Sequence, residues 1–284
     1  MSVFFEQSLI ENWINEDAPL LDLSSHVLGL HQQRCQMEFI ARDTYVIAAS
    51  EEVQRVVQSC QGSVDSYLPS GSQCEAGHVI LRCTGPAHAL LRAWKVGQNL
   101  LEFACGIATQ TRALVNTVKM HNPNMAVLTT RKHAPGLRKL ALKATLAGGA
   151  MPHRLGLSET VLVFPQHRAL LNGWHDLGQQ LAQHQGELCE KTIVIEVDTL
   201  DAAQAAIHAG ADALQFDKVP ADALQRWVKT LRQTHPHIRL LAAGGIRPDN
   251  AADYARSGVD ALVTSSLYYA APADIGVRIK KDDA

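Results

Sequence analysis

The sequence predicts an α/β protein: a TIM-like (β/α) barrel, closed or incomplete, with a smaller N-terminal α+β sandwich domain. Three observations predict it. Four short apolar runs, residues 192–196, 213–217, 238–242 and 260–264, read as buried parallel strands. Stretches with helical spacing, 201–209, 221–233 and 248–256, lie between them and give a repeat of roughly 21 to 25 residues, which is barrel spacing. A change of texture near residues 85–110 separates this regular half from an N-terminal half of short β-like runs and turns.

Taken in order, Phe4, Phe5, Leu9, Ile10, Trp13 and Ile14 fall on one helical face and predict a docking helix. Residues 35–39, 45–49 and 78–83 read as strands, and 51–60 as a helix. Residues 87–117 carry apolar positions at helical spacing, interrupted at Cys105-Gly106, and lead into the barrel. Two further apolar runs, 125–129 and 160–164, read as barrel strands, with a helix between them ending near Ala147. The tail 273–279 reads as a last strand returning to the first domain. The expected division is residues 1–110 plus the tail 270–284 for the first domain and 111–269 for the barrel.

Composition bounds the function. With 46% hydrophobic and 19% charged residues, the 284-residue chain has the apolar content for one large core or two modest ones. A formal net charge of −2 supplies no global attraction for nucleic acid or anionic membranes, so anion binding has to come from a local cluster. Six cysteines without a C-x-x-C pair fit reduced thiols. No Lys or Arg precedes Arg34, and no apolar run approaches the ~18 residues that span a bilayer, so a cytoplasmic protein is expected.

The chemical signal sits where strands end, which is where barrel active sites are built. Glu196 and Asp217 close two strands, and Gly244-Gly245 and Ser265-Ser266 follow the last two, where barrels commonly hold phosphate. Arg131-Lys132 follows the run 125–129, and His153-Arg154 follows the next helix. Arg offers a planar fork and Lys a mobile point charge, so the two basic pairs converging on one rim could neutralise a diphosphate; the alternative is a solvated surface cluster. Glu196 and Asp217 could instead cap the helices that follow them. Pro248 suits the first turn of a helix, which would place the Gly-Gly loop at a helix N-terminus.

Thr129-Thr130-Arg131-Lys132 with Pro135-Gly136-Leu137-Arg138, the His153-Arg154 pair, Asn99 with Gly106-Ile107-Ala108-Thr109, Glu196, Asp217 and Gly244-Gly245-Ile246 together resemble the quinolinate phosphoribosyltransferase family, the type II phosphoribosyltransferases. Trp94-Lys95, Phe164, Phe216-Asp217-Lys218 and the stretch 264–269 are more similar to its ModD branch, named for an association with molybdate transport.

The resemblance implies transfer of phosphoribose from 5-phosphoribosyl diphosphate, with Mg²⁺, to the ring nitrogen of a pyridine- or pterin-like acid. It implies that Arg131, Lys132, Arg138, His153 and Arg154 hold the diphosphate and the acceptor's carboxylate. Glu196 and Asp217 would contact the ribose hydroxyls and, directly or through water, the metal; with Lys132 they are the expected catalytic residues. Gly244, Gly245, Ser265 and Ser266 would bind the 5-phosphate. It also implies a homodimer with composite active sites, Lys95 standing where the family presents an arginine from the partner subunit.

The departures fall on the acceptor side. Phe164-Pro165-Gln166-His167 stands where the quinolinate enzymes have Lys-Asp-Asn-His, so a cation is lost and an acceptor altered from quinolinate is expected. His133, Ala243 and Ser265 replace the family's Thr, Ser and Gly. The alternatives are a true quinolinate phosphoribosyltransferase of NAD biosynthesis, and a non-catalytic ligand-binding or sensing protein on the same fold.

Overall fold

The structure is a computed structural model that describes residues 3–282. Its contacts divide the chain into two units. The first runs through Arg112 and includes Ala134–Gly149 and the chain from Tyr268 onward; the second comprises Ala113–His133 and Ala150–Leu267.

The first unit opens with α1 (Gln7–Asp17) and the short α2 (Leu23–Val27). Phe5, Ile10 and Ile14 bury, so α1 docks through an apolar stripe; Phe4 lies ahead of the helix and is exposed, against expectation. Next come β1 (Arg34–Ala41), β2 (Tyr45–Val46), α3 (Ser50–Ser59), β3 (Ser63–Tyr67), β4 (Gln73–Cys74) and β5 (Val79–Pro86). The run 45–49 yields only a two-residue strand because Ala49 takes a left-handed φ of 67° and opens α3. Strand β3 is largely exposed and lacks the apolar alternation that would have announced it.

Helix α4 (Ala87–His121) is continuous over 35 residues, where the sequence suggested an interruption at Cys105-Gly106. Gly106 is a packing residue instead: a Cβ there would stand 2.2 Å from the Ala271 carbonyl oxygen, so only glycine lets these backbones approach. All six cysteines are free, and five of them are buried.

Then follow β6 (Ala126–Thr129), α5 (Arg138–Gly148), β7 (Met151–Pro152), β8 (Val161–Val163), α6 (Pro165–Arg168) and α7 (Trp174–Gln183). The regular half supplies β9 (Ile193–Val197), α8 (Leu200–His208), β10 (Ala213–Asp217), α9 (Ala221–Thr234), β11 (Arg239–Ala243), α10 (Ala251–Ala255) and β12 (Ala261–Thr264). Strand β13 (Ile275–Lys281) ends the fold.

In the first unit, four strands pair in the order β13-β1-β5-β3, all antiparallel, over the core that α3 and α5 help to fill. Lys143 of α5 is buried in that core, 2.8 Å from Glu51 and 2.6 Å from Glu52 of α3. In the second unit, seven parallel strands run in the order β7-β6-β12-β11-β10-β9-β8. This is barrel order with the ring open between β7 and β8, hence an incomplete TIM-like barrel. Side chains pointing inward, among them Leu162, Val194, Ala213, Leu241, Ala261 and Val263, fill its interior.

One local expectation is corrected. Helix α10 begins only at Ala251, and Pro248 lies in the turn before it. The Asn250 side chain holds that turn, accepting from the Arg247 N–H at 2.8 Å and donating to the Gly245 carbonyl at 2.9 Å. An Asn that closes a turn with both ends of its amide competes with the helix it would otherwise enter.

Candidate active site

A cavity of about 660 Å³ opens at the carboxyl ends of the barrel strands, and every residue lining it belongs to the second unit. Arg131, Lys132, His153, Arg154, Glu196, Asp217, Gly244, Gly245, Ser265 and Ser266 all line it. A larger groove, of about 920 Å³, runs along α7 and α8 and lacks such convergence; its one carboxylate, Asp212, is engaged at 2.8 Å by the Ile193 N–H.

Strand register sets the positions. The ladders extend one residue past each strand: Thr130 N–H donates to Thr264 O (3.0 Å), His153 N–H to Thr129 O (2.9 Å) and Lys218 N–H to Ala243 O (2.8 Å). The rim residues are thereby pinned to the sheet. Gly244 and Gly245 both take left-handed φ, 82° and 73°, so the chain turns sharply away from β11. The Thr264 hydroxyl ties the two loops after β11 and β12 together. It donates to Ile246 O at 2.7 Å, accepts from the Ser266 N–H at 3.0 Å and lies 3.0 Å from the Ser266 hydroxyl.

The cavity brings cations and carboxylates together. Arg154 is buried, and burial together with the Arg131 charge pulls its guanidinium below the ordinary arginine value. Burial, then the Arg154 charge, pushes His153 down as well, so the imidazole is neutral at pH 7 and the cations that follow β6 and β7 are Arg131, Lys132 and Arg154. Burial raises the Glu196 carboxyl against a hydrogen bond from Gln215; Asp217 raises it further, and the Lys132 and Arg168 charges oppose the rise. The Arg168 guanidinium stacks 4.5 Å over the Trp174 ring, and its Nη2 donates to the Glu196 carbonyl at 3.4 Å.

Gln215, Lys218, Arg247 and Thr264 also line the cavity and are not evident from the sequence as site residues. A glutamine inside the apolar run Ala213-Leu214-Gln215-Phe216 was the available signal. Lys218 adopts a φ of 57°, a left-handed conformation unusual for lysine, directly after Asp217. Lys95 and Arg138 belong to the first unit, Lys95 exposed on α4 with its ammonium 3.1 Å from Gln98 Oε1, and Arg138 opening α5.

The chemistry available is anion binding beside a pair of carboxylates: the cations Arg131, Lys132 and Arg154, the two loops after β11 and β12, and the carboxylates Glu196 and Asp217 all line one cavity.

Comparisons with known proteins point the same way. Residues 22–105 match the description "Quinolinate phosphoribosyl transferase, N-terminal domain" and residues 107–278 the corresponding "C-terminal domain". The chain is 34% identical over 279 residues to "Putative pyrophosphorylase ModD" of Pasteurella multocida, covering 98% of this chain and 99% of that protein. It is 39% identical over 246 residues to the protein of the same name from Rhodobacter capsulatus, covering 86% and 94%. It is 31% identical over 278 residues to "Probable nicotinate-nucleotide pyrophosphorylase (carboxylating)" of Synechocystis, covering 96% and 92%. Among solved structures, NadC from Streptococcus pyogenes shares the fold with a TM-score of 0.89 at 22% identity, covering 99% of this chain and 100% of that one.

Proposed function

Because this chain belongs to the quinolinate phosphoribosyl transferase family and is a pentosyltransferase of the nicotinate-nucleotide diphosphorylase type, we propose that its barrel cavity takes 5-phosphoribosyl diphosphate and transfers the phosphoribose to the ring nitrogen of an acid altered from quinolinate. The observation that carries this reading is the placement, in one cavity, of Arg131, Lys132 and Arg154 against Glu196 and Asp217 and beside the two loops joined through Thr264.

In the proposed reaction the acceptor nitrogen forms a bond to the anomeric carbon as the bond from that carbon to the diphosphate oxygen breaks, and the diphosphate leaves with the electron pair. Positive charge builds on the ribose and negative charge on the leaving group. Glu196 and Asp217 would stabilise the first and hold the ribose hydroxyls; Arg131, Lys132 and Arg154 would neutralise the second. Fixed charges in a partly desolvated site supply this stabilisation without reorganising. Gly244, Gly245, Ser265 and Ser266 would receive the 5-phosphate.

The donor set fits Mg²⁺. Among the described residues no three His, Cys, Asp or Glu side chains gather as a metal cage, and neither Glu196 nor Asp217 is in an ion pair. Two carboxylates suit an ion that brings most of its oxygens on water and substrate phosphates. Bound there, Mg²⁺ would offset charge on the diphosphate.

The altered acceptor rests on Phe164, whose ring lines the cavity where the resembling quinolinate enzymes carry a lysine. A composite dimer is proposed with it: Lys95 shares a depression of the first unit with Leu21, Leu23 and Leu28, and these exposed apolar side chains are suited to a second copy. The similarity to the Synechocystis protein favours the runner-up, a carboxylating enzyme acting on quinolinate.

The test is thermal stability with 5-phosphoribosyl diphosphate and Mg²⁺. A ligand at ~100 times its dissociation constant stabilises the native state by about 2.7 kcal/mol, and Arg131→Ala and Asp217→Ala should each abolish the shift. No shift at millimolar ligand refutes the donor; efficient carbon dioxide release from quinolinate restores the runner-up. A monomer by light scattering removes the composite site.

A further inference from the structure

Gln215 stands at an unusual place for an amide. It lies in the middle of β10, is only 5% exposed, and lines the cavity. In the register of the barrel it pairs with Glu196 of β9, and its Nε2 donates to Glu196 Oε2 at 2.7 Å. A carboxylate can only accept, so this contact orients the amide: the NH₂ faces Glu196 and the carbonyl faces away. That carbonyl oxygen, Oε1, is buried and has no hydrogen-bond partner. A buried acceptor left unpaired is costly, and a small turn of the amide toward the cavity it lines would offer it to a donor from outside the chain.

Its neighbours narrow what that donor belongs to. Val163 of β8 pairs with Ile195, so Phe164, Glu196 and Gln215 follow one another at one level across three adjacent strands. Phe164 is half-buried against the barrel interior and offers an aromatic face. The lone pairs of Gln215 and the carboxylates of Glu196 and Asp217 all disfavour a second carboxylate at this end. The cations Arg131, Lys132 and Arg154 follow β6 and β7, across the open seam of the barrel from β8, and the Lys132 charge acts on Glu196, so a single ring carboxylate would meet them there.

We propose that Gln215 is a specificity-determining residue whose side-chain carbonyl accepts a hydrogen bond from an N–H or O–H on the acceptor ring, so that the acceptor is a flat ring monoacid bearing a donor where quinolinate bears its second carboxylate. The proposal rests on the phosphoribosyltransferase reading of the site and narrows its substrate class. By tying Glu196, Gln215 also positions that carboxylate. The ribose hydroxyls are the other donors that could reach Oε1, and the experiment separates the two sources.

Calorimetric titration of the folded protein with Mg²⁺ and 5-phosphoribosyl diphosphate compares three probes: pyridine-2,3-dicarboxylate, pyridine-2-carboxylate and 3-aminopyridine-2-carboxylate. The amino acid is expected to bind about tenfold or more tightly than either of the others, the worth of one well-made buried hydrogen bond. Gln215→Met, which keeps the volume and removes the acceptor, should erase that preference. Equal binding of the aminated and plain monoacids overturns the proposal, as does a preference that survives in Gln215→Met, or no binding of any of the three. Loss of affinity for 5-phosphoribosyl diphosphate in Gln215→Met, with the ranking of the ring acids intact, assigns the donor to the sugar and overturns it equally. The melting shift with 5-phosphoribosyl diphosphate alone tests the parent reading separately, so failure of one is not failure of the other.

Discussion

A Cβ placed on Gly244 would lie 2.5 Å from Asp217 Oδ1 and 2.8 Å from the Lys218 backbone nitrogen. The loop after β11 and the carboxylate at the end of β10 therefore share a gap that only glycine leaves open. Gly244→Ala should push Asp217 from its position as well as strain the left-handed backbone. Transfer activity is expected to fall about a hundredfold, the scale for a misplacement near 1 Å. Gly245→Ala meets open space and carries only the backbone strain, so it should lose less. Equal losses in steady-state assays of the two variants would show that the gap is not what matters.

His153 makes stability depend on pH with a definite sign. Burial and Arg154 hold its folded value below the ordinary 6.5, so the unfolded chain takes the proton first as pH falls. The contribution to stability is present above about pH 6.5 and is lost as pH drops through the lower, folded value. Denaturant midpoints measured downward from pH 7 should decline in the wild type and decline less in His153→Gln. A steeper decline in the variant would contradict the assignment.

Lys218 holds a left-handed φ of 57° beside the cavity, a conformation that costs a non-glycine residue about 1–2 kcal/mol. Lys218→Gly is predicted to raise stability by up to about 1 kcal/mol and to weaken binding of 5-phosphoribosyl diphosphate by removing a cation from the rim. Thermal melts with and without ligand read both effects. A variant that is less stable would mean that the lysine side chain contributes packing that outweighs the strain.

In the first unit, Lys143 is 4% exposed and bridges two carboxylates. Burial acts to raise the Glu51 carboxyl, yet Lys143 and Ser70 outweigh it and pull it down to about 2. Lys143→Met leaves two carboxylates beside an apolar core without their cation, and breaking such a buried pair costs about 3–5 kcal/mol. Chemical denaturation of the variant should show that loss, and the triple change that adds Glu51→Gln and Glu52→Gln should recover part of it.

The barrel and its rim were legible because each strand is a short apolar run ending in a polar or glycine pair, and a parallel barrel puts those ends on one side. Arg131, Lys132, His153, Arg154, Glu196 and Asp217 could be collected from the sequence for that reason. Gln215 was not, since one polar residue within an apolar strand does not reveal which partner satisfies it. Lys218 hid because its role depends on a backbone angle, and Thr264 because its three contacts join loops eighteen residues apart. Gly106 and Pro248 misled in opposite directions. One residue that usually breaks helices sits inside α4 to admit another backbone; the other usually starts helices and here sits in a turn closed by Asn250. Nothing in the sequence marks Lys143 as buried, because only tertiary packing against α3 covers it.

The order in which the chain is synthesised has a consequence in the first unit. Strand β1 is sandwiched between β5, its near neighbour in sequence, and β13, which follows the whole barrel. At 5–20 residues per second, roughly ten to forty seconds of translation separate the emergence of β5 from that of β13. Throughout that interval β1 is an open edge carrying Met37 and Phe39, both fully buried in the finished fold, and an open apolar edge invites pairing with other chains. The nascent polypeptide thus passes through a long window of vulnerability on the ribosome, and slow translation or stalling within the barrel-coding stretch lengthens it, making the growing chain a natural client for chaperones that shield strand edges.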